Sequence, residues 1–296
     1  MTITFIRKHT SFLLTALLLA SCGGGGGSGS NSGSANNSTP PIVPVASDWQ
    51  LIWSDEFNNT SLDSSKWSLE SGGDGWGNNE LEYYTAGDNA SVSDGYLTIT
   101  ARQQSYGGLN YTSSRLITKG KAYWTYGKVE ARIKLPYGQG MWPAFWMLGE
   151  DIDSVGFPGS GEIDIMEMVG GKDDDGSNRN SVIWGSLHRP NLDPNPASDV
   201  KSFTASYRNP GDINFNNDFH VFGIEWNATT VIYSVDGNVY QTVDISSNTD
   251  GFDVFKKPFF IVLNLAVGGD WPGAPDLTTV WPAQMQVDWV RVYQKS

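Results

Sequence analysis

Much of this chain alternates with a period of two. Lys128–Leu135 sets an apolar side chain at every second position, Val129, Ala131, Ile133 and Leu135, and Tyr96–Ala101 does the same. A strand points residues i and i+2 to one face, so each segment predicts a strand with one buried side. Thr230–Val235 and Asn238–Val243 flank Asp236-Gly237, a pair suited to a two-residue hairpin turn. Phe259–Val267 is nearly continuously apolar and predicts a strand covered on both faces. Gln286–Tyr293 is the last strand, and Gly and Asn clusters punctuate the runs. Helical spacing is scarce and no solenoid or propeller repeat is present. Many short antiparallel strands without intervening helices predict an all-β, two-sheet sandwich.

The segment Gly161-Glu162-Ile163-Asp164-Ile165-Met166-Glu167 breaks this pattern. Glu162 and Asp164 share a face, with Ile163 and Ile165 opposite. Plain alternation would place Met166 beside the acids and turn Glu167 inward. One extra residue, a β-bulge, returns Glu167 to its partners. The expected result is three carboxylates in a row with no Lys or Arg among them. A solvated strand face is the plain reading of acid–apolar alternation. The aromatic run Met141–Trp146 just upstream points instead to a sugar-binding cleft.

The N-terminal pattern differs. Arg7 and Lys8 precede an apolar run from Phe12 to Ala20, the layout of an export signal and too short to span a bilayer comfortably. It ends in Leu19-Ala20-Ser21-Cys22, and Cys22 is the chain's only cysteine. No disulfide framework or Cys-based metal site is therefore expected in the folded region. Residues 23–47 are Gly, Ser, Asn, Thr and Pro with a few small apolar residues and no charge, a composition that predicts a flexible tether. The remaining 249 residues, 48–296, suit one large β domain. Loss of Arg7 and Lys8 with the signal (residues 1–22) leaves 17 basic and 32 acidic side chains, a formal −15 against −13 for the whole chain. That balance excludes nucleic acid as an expected partner.

Five segments, in order, resemble glycoside hydrolase family 16 in its laminarinase-like form. They are Gly77–Tyr84, Arg115 within Thr112–Leu116, Glu162–Glu167, Asn264–Gly273 and Asp288–Tyr293. The resemblance covers essentially all of 48–296. It implies a concanavalin-like β-jelly roll whose concave sheet forms the substrate cleft. It also implies Glu162 as nucleophile, Glu167 as acid/base and Asp164 as the residue tuning both. A retaining glycosidase needs two carboxyl groups about 5–5.5 Å apart. Groups five positions apart on one strand meet that need only if their side chains lean together over a curved sheet.

Substrate contacts are expected from Asn79, Glu80, Arg115, His188 and Asn264, with Trp142, Trp146 and Trp271 as stacking platforms. Trp76, Trp124, Trp226 and Trp289 are expected in the core or at the rim. His188 and His220 lack a zinc spacing. Asp173-Asp174-Asp175-Gly176 lacks the Glu that ends an EF-hand loop, Trp184 standing there instead, and reads as an exposed acidic loop. The resemblance implies no cofactor for catalysis and a structural calcium at Glu56, the Gly95 carbonyl and Asp288. Leu19–Cys22 resembles a lipoprotein box, which implies a lipid on Cys22. The Gly after Cys22 implies an outer-membrane or cell-surface address.

The expectation is therefore an exported, lipid-anchored, monomeric endo-β-1,3-glucanase that acts on a laminarin-like β-glucan and touches membrane only through its anchor. Two alternatives stay open. One is the same chemistry on mixed-linkage β-1,3-1,4-glucan or a marine galactan. The other is a catalytically silent glucan-binding lipoprotein.

Overall fold

A computed structural model describes residues 48–194 and 198–296. The export signal, Cys22 and the tether lie outside the described residues. Two largely antiparallel sheets face one another. The ten-stranded sheet runs Asn238–Asp244, Thr230–Val235, His220–Trp226, Gly127–Lys134, Ala283–Lys295, Tyr96–Tyr106, Leu109–Ser113 and Glu82–Tyr84. Trp49–Asp55 pairs with Ala283–Lys295, and Ala90–Ser93 with Tyr96–Tyr106. The seven-stranded sheet runs Val200–Arg208, Val182–Pro190, Glu162–Glu167, Met141–Gly149, Phe259–Val267, Arg115–Ile117 and Ser68–Glu70.

The predicted periods are realised residue by residue. In Gly127–Lys134 the side chains of Val129, Ala131 and Ile133 are fully buried, and the charged residues between them face outward. The hairpin closes with Val235 opposite Asn238. Asp236 (φ 49°) and Gly237 (φ 76°) both take the left-handed backbone that this tight turn requires. One contiguous core joins Ile99, Val129, Ile133 and Val290 of the larger sheet to Phe145, Met147, Ile163, Leu187 and Leu263 of the smaller.

Every residue of Phe259–Val267 is buried, for two separate reasons. Phe259, Ile261, Leu263, Leu265 and Val267 face the inter-sheet core. Phe260 and Val262 point the other way and pack with Ile117, Trp146, Leu148 and Ile152 in a second apolar cluster. That cluster lies on the outward side of the seven-stranded sheet and provides an apolar base for the cleft above it.

Candidate active site

The acidic strand is bulged where its sequence departs from alternation. Asp164 pairs with Ser186 on one neighbour and Trp146 on the other, and the register then shifts before Glu167 meets Trp184 and Ala144. Ile163, Ile165 and Met166 are all buried in the core, so two consecutive residues point inward and Glu167 regains the outer face. The strand starts from Gly161, whose φ of 74° and close approach to Val254 exclude a larger residue, since an added Cβ would lie 2.8 Å from Val254 Cγ2.

Register lines the outer face into three transverse rows. Asn264, Ala144, Glu167 and Trp184 form the first; Val262, Trp146, Asp164, Ser186 and Thr204 the second; Phe260, Leu148, Glu162, His188 and Ser202 the third. Each acid thus sits between an aromatic or aliphatic strand and a hydroxyl- and imidazole-bearing one. The rows floor a cleft of about 610 Å³ that holds Glu162, Asp164 and Glu167 together with Trp142, Trp146, Trp271, Arg115, Glu80, Asn264 and His188.

The polar contacts are directional. Trp142 Nε1 donates to Glu167 Oε1 at 2.9 Å. His188 Nε2 lies 3.0 Å from Asp164 Oδ2 and 3.9 Å from Glu162 Oε1, while its Nδ1 is 2.7 Å from Ser202 Oγ. Asp164 is the most enclosed of the three acids, its side chain 5% exposed against 21% for Glu162. Desolvation pushes each carboxyl up to about 8. For Glu162 and Glu167 the Asp164 charge adds to that rise, and His188 opposes it; the Trp142 hydrogen bond also opposes it at Glu167. The three groups titrate as one coupled set, and the cluster holds protons at neutral pH.

Arg115 lies in the cleft wall between two indoles, 4.9 Å from the Trp76 ring centre and 4.7 Å from that of Trp146. Its Nε donates to Glu70 Oε2 at 2.5 Å, so it is both an ion-pair partner and a cleft residue. Trp146 Nε1 donates to Asn264 Oδ1 at 2.7 Å. Trp271, 39% exposed, meets Trp142 and Trp184 edge-on at 5.5 and 5.1 Å. The Asn79 amide donates to both carboxylate oxygens of Asp270 at 3.0 Å, while its neighbour Asn78 lines the cleft.

The positions expected for calcium carry other partners. Glu56 accepts from Arg291 Nε and Nη2 at 2.9 and 2.7 Å, and Asp288 accepts from Arg132 Nη1 at 2.6 Å. The donors are hard oxygens of the type calcium takes. As placed, both carboxylates pair with guanidinium groups, so an ion at this site would compete with Arg291 for Glu56 and with Arg132 for Asp288. Asp173, Asp174 and Asp175 are exposed, as expected.

Comparison with known proteins agrees with this layout. The family model for the β-porphyranase A–D GH16 domain matches residues 49–295. The chain belongs to glycoside hydrolase family 16. A chain of known structure, the laminarinase catalytic domain from Thermotoga maritima, is 42% identical, with a TM-score of 0.75, covering 84% of this chain and 100% of that one. The endo-β-1,3-glucanase from Pyrococcus furiosus is 44% identical, with a TM-score of 0.75, over 84% of this chain and 95% of that one. The β-glucanase of Rhodothermus marinus is 40% identical over 264 residues, which are 84% of this chain and 86% of that protein. The fold is the two-sheet jelly roll expected from the sequence.

Trp76 and Trp184 are cleft-side residues that sequence reasoning missed. Trp76, a core or rim residue by sequence, lines the cleft. Trp184 lies opposite Glu167 and against Trp271; its place in the alternation Trp184, Ser186, His188 was the available signal. Trp124 and Trp226 are core residues.

Proposed function

We propose that this family 16 enzyme is an endo-β-1,3-glucanase of laminarinase type, exported and held at a membrane by a lipid on Cys22. The observation that carries the activity is the bulged row of Glu162, Asp164 and Glu167 in a cleft walled by Trp142, Trp146 and Trp271. Indole faces pack on the apolar faces of sugar rings, and paired carboxyls cleave the bond between rings.

Glu162 attacks the anomeric carbon, and Glu167 protonates the departing glycosidic oxygen. Glu167 Oε1 already accepts the Trp142 N–H, so its transferable proton sits on Oε2. Water then hydrolyses the glycosyl-enzyme with Glu167 as base, and configuration is retained. Asp164 stands between the two glutamates beside His188, and its charge, or a proton shared within the set, favours the protonated form of Glu167 while Glu162 is ionised. A calcium ion at Glu56, Gly95 and Asp288 belongs to this proposal as a stabiliser outside the cleft, with the oxygen-rich donor set as its support.

Marine galactan is the second reading, favoured by the β-porphyranase description of the matching family model. The cleft supports a neutral chain better: it holds Glu80, Glu162, Asp164 and Glu167 against Arg115 as its one cation of fixed charge. Reducing-end release and product profiles on laminarin, mixed-linkage glucan and agarose, run side by side, test the proposal. Preference for laminarin is expected; release from agarose alone would replace it with the galactan reading, and no release from any, with binding intact, with the silent binder.

A further inference from the structure

A second pair of acids, Glu80 in the cleft lining and Glu82 behind it, is not used by the reaction above. Glu80 lines the cleft and is 8% exposed; Glu82 is fully buried behind it. Glu80 Oε1 accepts from Asn78 Nδ2 at 3.3 Å and its Oε2 from the Tyr84 hydroxyl at 3.0 Å. The direction of that last bond is set from the catalytic side. An indole can only donate, so Trp146 Nε1 requires the oxygen of Asn264 to face it. The Asn264 amide nitrogen then donates to Tyr84 Oη at 3.1 Å, which leaves the Tyr84 proton to point at Glu80. The chain of donors Trp146, Asn264 and Tyr84 therefore ends on Glu80, which must be the acceptor.

Glu82 faces the opposite problem. Its Oε2 accepts the Val267 N–H at 2.6 Å, and its Oε1 is buried with no donor. It stands two residues from Glu80, and burial first, then the Glu80 charge, hold its carboxyl well above the usual carboxylate range. Two adjacent buried carboxylates sharing no cation would be costly, whereas one proton between them satisfies both.

We propose that Glu82 is kept as the neutral acid, donating from Oε1 to Glu80, and acts as a positioning residue that fixes Glu80 as a hydroxyl acceptor for an uncharged sugar ring. A carboxylate offers about four lone-pair sites. Asn78 and Tyr84 occupy two and the proposed Glu82 proton a third, which leaves one for a ligand in the cleft that Glu80 lines. This role for the sugar rests on the glucanase reading; the proton on Glu82 does not.

Glu82→Gln and Glu82→Leu separate the possibilities. Gln keeps the volume and supplies an N–H in place of the O–H. It should leave the KM for laminarin within about twofold of the parent, whereas Leu, lacking a donor, should raise it about tenfold with kcat little changed. The proton has its own readout. The folded pKa of Glu82 is raised, so the stability it contributes is full below its unfolded value and lost as pH rises through the folded value. The melting temperature of Glu82→Gln should therefore gain on the parent as pH increases from about 5 to about 9. A constant difference between the two, or a Gln variant as impaired as the Leu variant, would overturn the assignment. If laminarin is no substrate but the pH-dependent gain is seen, the glucanase reading fails and the neutral acid stands. If Glu82→Leu does not fold, the Gln comparison alone decides.

Discussion

Trp142 donates its indole N–H to Glu167 Oε1 at 2.9 Å, and the same ring stands edge-on to Trp271. One side chain therefore orients the catalytic acid and braces a sugar platform. The N–H favours the ionised form of Glu167. Trp142→Phe keeps a ring and removes the donor, so Glu167 should hold its proton to higher pH. The alkaline limb of kcat/KM is expected to move upward, with a loss of about tenfold at the optimum. An unmoved limb in the variant's pH profile would show that the bond does not tune the acid.

Glu162→Gln should abolish turnover while folding and glucan binding persist, because only nucleophilicity is lost. Glu167→Gln should lower hydrolysis of laminarin by roughly 10²–10⁴-fold. It should still form the glycosyl-enzyme from substrates with activated leaving groups, and added azide should then accept the sugar. NMR of the first product should show the β-anomer. An α-anomer appearing first would sink the double displacement, and full activity in Glu162→Gln would sink the site.

With each acid pushed up to about 8, rising pH removes the proton that Glu167 must donate. Activity should fall as pH rises through about 8. The same groups contribute stability that is full below their unfolded values, about 4, and lost as pH rises to about 8, so the melting temperature should decline across that range. The Asp164 charge raises both neighbours; Asp164→Asn should move the alkaline limb to lower pH and weaken the enzyme. A wild-type pH profile in that variant would remove Asp164 from the tuning role.

If Cys22 carries the lipid, Cys22→Ser should shift the enzyme from the membrane fraction to the soluble exported fraction with its specific activity unchanged. Stable anchoring takes more than one acyl chain, so mass spectrometry of the N-terminal peptide should find several. Equal membrane retention of mutant and parent would exclude this anchor.

If calcium binds at Glu56 and Asp288, it competes with Arg291 and stabilises only the folded state. A chelator should lower the melting temperature and leave low-temperature turnover intact, and Arg291→Gln should bind calcium more tightly. Identical melting curves with chelator and with excess calcium would rule the ion out.

The sheets were legible because burial on one face imposes a period of two: Gly127–Lys134 obeys it throughout, and Leu97, Ile99 and Ala101 obey it at the start of Tyr96–Tyr106. The bulge was legible for the same reason: Met166 stands where alternation demands a polar residue. Relationships set by distant elements were not. Asn78 and Asn79 are equivalent in sequence, and only Asp270, 191 positions away, decides which one leaves the cleft. Glu56 and Asp288 gave no sign of their ion pairs, because Arg291 and Arg132 reach them only in the folded chain. Trp76 gave no periodic signal beyond that of a core residue, and the proton on Glu82 depends on a hydrogen-bond direction inherited from Trp146.

The bulge also makes this strand unusually forgiving of a change in length. Losing one residue from a regular strand turns everything beyond it over, and so destroys one face. Here residues 165 and 166 both point inward, so deletion of Met166 restores simple alternation and leaves Glu162, Asp164 and Glu167 on the cleft side. The cost is the core volume of one methionine, about 2–5 kcal/mol if unfilled. A three-nucleotide deletion at this point would preserve the catalytic constellation while altering its spacing, giving the enzyme a short mutational path to a differently proportioned active site.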